Sequence, residues 1–187
     1  MTTYANGNYT AFYVSTPFVE TNLGANTAKD FCYYRTLQMW KGADSSFPFI
    51  NSHDKTYDVR DSSDWESTLK PRLRKRLANS KNIILILSRN TKSSRALNEE
   101  IDYGINTLNL PIIVVYPDFQ YQSDIVDFNG NIFPQIFSLW DNLPIFRDNM
   151  HKVPTLHIPF NRDAVKLALL NDGFKKNTAL PPDLYIP

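Results

Sequence analysis

The run from Ser80 to Asp118, SKNIILILSRNTKSSRALNEEIDYGINTLNLPIIVVYPD, holds two apolar stretches, Asn82 to Leu87 and Ile112 to Tyr116, that do not alternate in polarity. A strand with one wet face alternates, whereas a strand covered on both faces does not. Each stretch therefore reads as a strand of a parallel sheet sandwiched between helices. Between them, Ala96, Leu97, Ile101, Tyr103, Gly104 and Leu108 give one helix a mainly apolar side. The sum is a β–α–β unit, whose crossover is expected to be right-handed. The loop Ser88-Arg89-Asn90-Thr91-Lys92-Ser93-Ser94 falls at the carboxyl end of the first of these strands. Doubly wound sheets bind ligands at that edge. The helix that follows carries Glu99 and Glu100, and a carboxylate just behind a polar loop at that edge is the leading functional feature of the chain.

The remaining sequence extends this unit into an α/β fold, a flavodoxin-like three-layer sandwich with a central five-stranded parallel sheet in the order 2-1-3-4-5. Strands are predicted near residues 10–15, 47–51, 82–87, 111–116 and 154–158. Thr27 can cap a helix running to about Lys41, whose apolar stripe is either Phe31, Tyr34, Leu37 and Trp40 or Cys32, Tyr33 and Met39. Trp65, Leu69, Leu73 and Leu77 recur every fourth residue and mark one face of another helix. Pro71 either kinks that helix or sits in its first turn. Its opposite face, Lys70, Arg72, Arg74, Lys75 and Arg76, reads as solvated. Asn161 or Asp163 starts a last helix, from Ala164 to Leu170. The expected division is a flexible N-terminus over 1–9, one domain over 10–175 and an extended surface tail over 176–187.

Bulk properties exclude several classes. A formal net charge of +1 over 187 residues gives no electrostatic reason to expect nucleic acid or an anionic membrane. One cysteine, Cys32, allows no internal disulfide and fits a reducing compartment. No stretch approaches the roughly 18 apolar residues of a membrane span. The first residues, MTTYANGNYT, carry neither a basic nor an apolar secretory region, so a cytoplasmic location is expected. Signatures of dinucleotide-binding Rossmann folds, P-loops and zinc sites are absent. His53, His151 and His157 lack ligand spacing and read as surface or satisfied structural residues. Cys32, inside a helical pattern, reads as a buried inert thiol.

Glu99 and Glu100 differ in what surrounds them. Adjacent helical residues project about 100° apart, so the two cannot face one pocket. Glu100 shares its side with Ala96, Leu97, Tyr103 and Gly104, and Glu99 shares its side with Arg95 and Asp102. Glu99 is then an exposed acid pairing with Arg95. Glu100, an acid on an apolar face, must be satisfied there or serve a purpose.

Three segments occur in an order that resembles the Toll/interleukin-receptor (TIR) fold, and in particular the bacterial TIR-like proteins of Thoeris antiphage systems. Phe12-Tyr13-Val14-Ser15 resembles that family's first strand, Asp61-Ser62-Ser63-Asp64-Trp65-Glu66 its D-x-S-x-W segment, and Ser88 to Ile101 its strand-loop-helix around a glutamate. Two positions depart from the pattern: Ala96 stands where the family places a tryptophan, and Thr16 where relatives often place an aromatic residue. The resemblance implies cleavage of the nicotinamide–ribose bond of NAD, with NAD as substrate and no further cofactor or metal. Glu100 would be the catalytic residue, and Ser15, Thr16, Phe18, Asp61, Trp65, Ser88, Asn90, Thr91, Ser94 and Ala96 would line the substrate site. Phe18 and Trp65 are candidates to stack on nicotinamide or adenine, and Trp65 reads equally well as core. The product would be an ADP-ribose-derived, possibly cyclic, signalling nucleotide. The implied partners are other copies of the chain or an effector reached through that nucleotide, and a phage-derived trigger; no nucleic acid or membrane is implied. Two other readings remain: a catalytically silent TIR assembly module, favoured by Ala96, and a nucleoside deoxyribosyltransferase-like enzyme, which also uses a glutamate on a similar sheet.

Overall fold

The structure is a computed structural model describing residues 6–14, 29–53 and 64–187. Among them, five strands lie side by side and all parallel: β1 (Gly7–Ala11), β2 (Ser80–Ile86), β3 (Ile112–Tyr116), β4 (Pro154–Pro159) and β5 (Asp183–Tyr185). β1 runs earlier than the predicted 10–15. Residues 47–51, predicted as a strand, touch the free edge of β1 through a single parallel bridge, Asn8 to Asn51. Asn8 holds that edge in three ways: its backbone N–H donates to Ile50 O (2.6 Å), its C=O accepts from Ser52 N (3.2 Å), and its side-chain oxygen accepts from Ile50 N (2.8 Å). Pro48 has no N–H for a ladder, which limits how far the pairing extends. The segment thus occupies the edge place that the order 2-1-3-4-5 assigns it. At the other edge, Asp183–Tyr185 of the tail pairs with β4.

Alternation along the strands splits the core in two. Ile83, Leu85 and Leu87 face one apolar layer with Ile112 and Val114, while Ile84 and Ile86 face the other with Ile113 and Val115. The first layer is covered by α2 (Lys70–Ala78), α3 (Arg95–Asp102), α4 (Pro134–Asp141) and α5 (Pro144–Arg147), and the second by α1 (Lys29–Ala43) and α6 (Arg162–Leu170). Every residue of β3 is buried, as its unalternating sequence requires.

The helices follow from local chemistry. A π turn over Trp65–Leu69 precedes α2, started by Asp64, whose carboxylate accepts from Ser67 N (2.7 Å). Pro71 lies in the first turn of α2, directly after the π turn. Ser94 caps α3 by accepting from Leu97 N (3.2 Å), and Asn161 caps α6 by accepting from Ala164 N (2.8 Å). α1 buries Tyr34 and Leu37 and leaves Met39 69% exposed, so the Phe31–Trp40 stripe faces inward. Cys32 lies on the other side and is exposed, not buried as expected. The basic face of α2 also departs from expectation. Arg72 and Lys75 are exposed, but Lys70 and Arg74 reach Glu99 on α3, and Arg74 lies 4.5 Å over the Tyr103 ring. Two of the five residues of that face, Lys70 and Arg74, therefore belong to a helix–helix contact.

α3 passes into a π turn, Tyr103–Thr107, laid directly on β2. A β-carbon on Gly104 would stand 2.3 Å from Cδ1 of the fully buried Ile83. Gly104→Ala is therefore expected to destabilise the fold by about 1–3 kcal/mol from overpacking, offset by up to about 1 kcal/mol of helix propensity. Adding Ile83→Val removes the clashing methyl and should recover part of the loss. Denaturant melts of both single variants and the double variant check this: strictly additive effects would mean that the contact is not the cause.

Candidate active site

α3 brings Glu100 over β1. Its Oε1 accepts a 2.7 Å hydrogen bond from the Tyr9 hydroxyl, and Tyr9 is almost fully buried at 2% exposure. The residue as a whole keeps partial exposure, yet protein crowds its carboxyl group. Burial pushes that carboxyl up to about 8; the Tyr9 hydrogen bond and the Arg76 charge pull the other way and lose. Beneath Tyr9 lies His53, with ring centroids 4.5 Å apart. His53 Nε2 is 3.0 Å from Thr10 O and 3.2 Å from Thr10 N, and burial pushes its pKa down to about 4, so it is neutral at physiological pH.

Glu99, one residue earlier, points elsewhere. It receives Arg74 at 2.6 Å and Lys70 at 4.0 Å, and only 16% of its side chain is exposed. Its expected partner, Arg95, instead pairs with Glu66 (2.7 Å) and lies 4.8 Å over the Trp65 ring. Glu100 turns toward β1, whereas Glu99 is not the exposed acid expected from the sequence: it is anchored to α2 rather than left in solvent. Trp65 is partly buried against the core and carries Arg95 on its face.

The loop after β2 is tied down by a residue that the sequence reading did not single out. Asp30, in the first turn of α1, is 2% exposed and accepts from Ser88 Oγ (2.6 Å) and Thr91 Oγ1 (3.1 Å). Thr91 Oγ1 in turn accepts from Ser88 N (2.9 Å), and Ser88 Oγ from Asn90 N (3.1 Å). Burial raises the Asp30 carboxyl above its ordinary range, against the lowering effect of the two hydroxyls. Ser88 and Thr91 are thus buried and bonded to Asp30, Ser94 is the cap of α3, and Asn90 and Ala96 keep partial exposure. An acid in a helix's first turn is common on dipole grounds alone, so nothing in the sequence marked Asp30 as the partner of a distant loop. Ser15, Thr16, Phe18 and Asp61 lie outside the described residues.

Two other features lie apart from Glu100. Trp140 Nε1 donates to Tyr116 Oη (2.7 Å), which leaves the Tyr116 proton for His157 Nδ1 (2.7 Å). His157 is buried, its pKa pushed down to about 3, and its Nε2 has no partner among the described residues. A mainly apolar cavity of about 670 Å³ lies in the α6 layer, lined by Leu156, Ile158, Leu167, Phe174, Leu180 and Tyr185 among others. Among the described residues its walls hold no Asp or Glu.

A parallel sheet between two helical layers, with a glutamate on the helix behind the loop at its carboxyl edge, is consistent with a TIR-like α/β domain. The family model for the TIR-like domain of the Thoeris protein ThsB matches residues 9–122, well over half of the 187 residues. The chain belongs to that family.

The Glu100 carboxyl makes stability depend on pH in a definite direction. Its pKa lies above the ordinary 4.5 in the folded chain, so between about 4.5 and 8 the folded state holds a proton that the unfolded state has lost. Stability therefore falls as pH rises through that window. Glu100→Gln removes the effect. Its melting temperature should match wild type near pH 4 and exceed it above pH 8. Thermal melts across this range check it, and a gap that does not widen with pH would mean that Glu100 is not held neutral in the fold.

Proposed function

We propose that the chain is an NAD-cleaving enzyme that releases nicotinamide and passes the ADP-ribosyl group to water or to another nucleophile, producing a signalling nucleotide in Thoeris-type defence. The observation that carries the reading is the Glu100 carboxyl, anchored by Tyr9 on the helix behind the loop of a TIR-like sheet. In NAD the leaving group is a pyridinium cation. When the ribose C1–nitrogen bond breaks, its electron pair returns to the ring nitrogen and nicotinamide leaves neutral. No acid is needed to protonate it, unlike the sugar oxygen in ordinary glycosidases. What remains to be stabilised is the oxocarbenium-like ribose, and a carboxylate beside it does so electrostatically. Water as nucleophile gives ADP-ribose and a proton; a nucleophile within the adenosine moiety gives a cyclic product.

The raised pKa of Glu100 fits this chemistry. A carboxyl that is largely neutral in the free protein ionises when a pyridinium cation docks beside it, since an opposite charge favours the charged form. The charge would then appear where and when the substrate supplies its counterpart. The activity profile should follow. kcat/KM, which reports the free enzyme, should rise with pH through about 8, while kcat, which reports the complex, should have its acid limb lower. Trp65 and the Asn90–Ser94 loop would contact the substrate, with Ser15, Thr16, Phe18 and Asp61 completing the site. Self-association, an effector that reads the nucleotide, a phage-derived trigger and a cytoplasmic setting belong to the same proposal. No helix of the described residues is long and apolar enough to cross a membrane, which is compatible with that setting.

The test is nicotinamide release from NAD by concentrated or trigger-exposed protein. Glu100→Gln keeps shape and hydrogen bonding but removes the charge, and should lower the rate about 10²–10³-fold. Glu99→Gln weakens its pairing with Arg74 and Lys70, so it should cost some stability and leave the rate per folded molecule nearly unchanged. Full activity in Glu100→Gln would remove the assignment. Wild-type protein that stays inactive under all such conditions would favour the assembly-module reading.

A further inference from the structure

We propose that Tyr9 is the positioning residue of this site: its hydroxyl fixes one oxygen of Glu100 and leaves the other to face the sugar. The inference rests on the NAD-cleavage reading for its functional half. The geometry is asymmetric. Oε1 of Glu100 accepts from Tyr9 Oη at 2.7 Å, whereas Oε2 has no hydrogen-bond partner among the described residues. A carboxyl held by one oxygen is fixed in rotamer and plane, and its second oxygen keeps an open coordination direction. Glu100 also retains partial exposure, so that direction is not sealed by protein.

Tyr9 is itself held from several sides. It sits in the middle of β1, paired in register with Ile83 of β2, and it is 2% exposed. His53 packs against its ring at 4.5 Å and is anchored to the β1 backbone at Thr10. A donor fixed in the sheet costs no reorganisation when charge develops on its partner. A phenol donating to a carboxylate also favours the ionised form, so Tyr9 works against the burial that holds Glu100 neutral.

The other charged groups around α3 do not take over this role. Arg76 of α2 acts on Glu100 only through its charge. Lys70 and Arg74 of α2 are engaged by Glu99. His53 is neutral. On α3 itself, Asp102 accepts from Asn106, and on α5, Arg147 pairs with Asp141 and Asp148. Tyr103 lies under Arg74. Among these groups, the Tyr9 hydroxyl alone donates a hydrogen bond to the Glu100 carboxyl.

The experiment is a ¹³C-NMR titration of the Glu100 side-chain carboxyl, its signal assigned by its loss in Glu100→Gln. It is run on wild type and Tyr9→Phe and read beside the pH profile of NAD cleavage. Removing the hydroxyl should move the carboxyl midpoint upward by about one pH unit, the scale of a charge-assisted hydrogen bond. The acid limb of kcat/KM should move up with it. kcat at the plateau should fall about tenfold or more with KM little changed, because the loss is one of orientation during reaction. A merely structural tyrosine would change stability and move neither the midpoint nor the limb, and that result would overturn the proposal. Should Tyr9→Phe fail to fold, the ring Cζ signal of Tyr9 in wild type serves instead. It should titrate with the Glu100 midpoint, and a flat Tyr9 signal overturns the proposal. The two levels separate cleanly. If the midpoint moves but Glu100→Gln cleaves NAD as wild type does, the cleavage reading falls and the Tyr9–Glu100 coupling stands. If Glu100→Gln is inactive and Tyr9→Phe keeps the wild-type profile, the coupling falls and the cleavage reading stands.

Discussion

Burial of β2 on both faces is the constraint on which the rest of the molecule depends. Ile83, Leu85 and Leu87 on one side, with Ile84 and Ile86 on the other, need a helical layer each. Covering them requires helices close enough to exclude water, and Gly104, in the π turn that continues α3, lets the backbone approach to where a β-carbon would strike Ile83. That approach is what carries Glu100 over the neighbouring strand β1 and within reach of Tyr9. The site is therefore a by-product of core packing: moving the helix off the sheet to relieve Gly104 would also move the carboxyl off its donor.

The same packing sets an electrostatic tension. Burial holds the Glu100 carboxyl neutral near neutral pH, while the reaction proposed for it needs the carboxylate. Fold stability and function pull on the same proton in opposite directions. A residue chosen for stability at this position would be apolar or an amide, so an acid here costs the core, and the proposed chemistry would account for it. Tyr9 sits between the two demands, since it satisfies the carboxyl in either protonation state and favours the charged one.

The sheet was legible because its apolar runs are short, unalternating and rich in β-branched residues, and β2, β3 and β4 lie where their sequences place them. The edges were less so. Residues 47–51 meet β1 through one bridge, and Asp183–Tyr185, three residues of mixed exposure, join β4 without any apolar run to announce them. At the site, helical spacing was enough to turn Glu100 inward. It was not enough to find Tyr9 or Asp30, because their contacts span 91 residues from Tyr9 to Glu100 and 58 from Asp30 to Ser88, and periodicity carries no information at that range. Cys32 and the α2 basic face failed for a related reason: which side of a helix is wet depends on the neighbour it packs against. α1 turned Cys32 outward, and Glu99 drew Lys70 and Arg74 inward.

Among the carboxyl groups near the loop after β2, the surroundings of three separate their roles. Both oxygens of Asp30 accept hydroxyls, from Ser88 and Thr91, and lock the N-terminal turn of α1 to that loop. Glu99 is neutralised by two cations of α2 and joins helix to helix. A carboxylate already saturated in this way has little left to offer a substrate, because an incoming cation would have to displace an existing partner. Glu100 has one oxygen held by a neutral donor and one without a partner among the described residues. Its environment opposes negative charge until a positive one arrives. Of the three, it alone combines fixed geometry with unused capacity, and that combination is what the proposed chemistry requires.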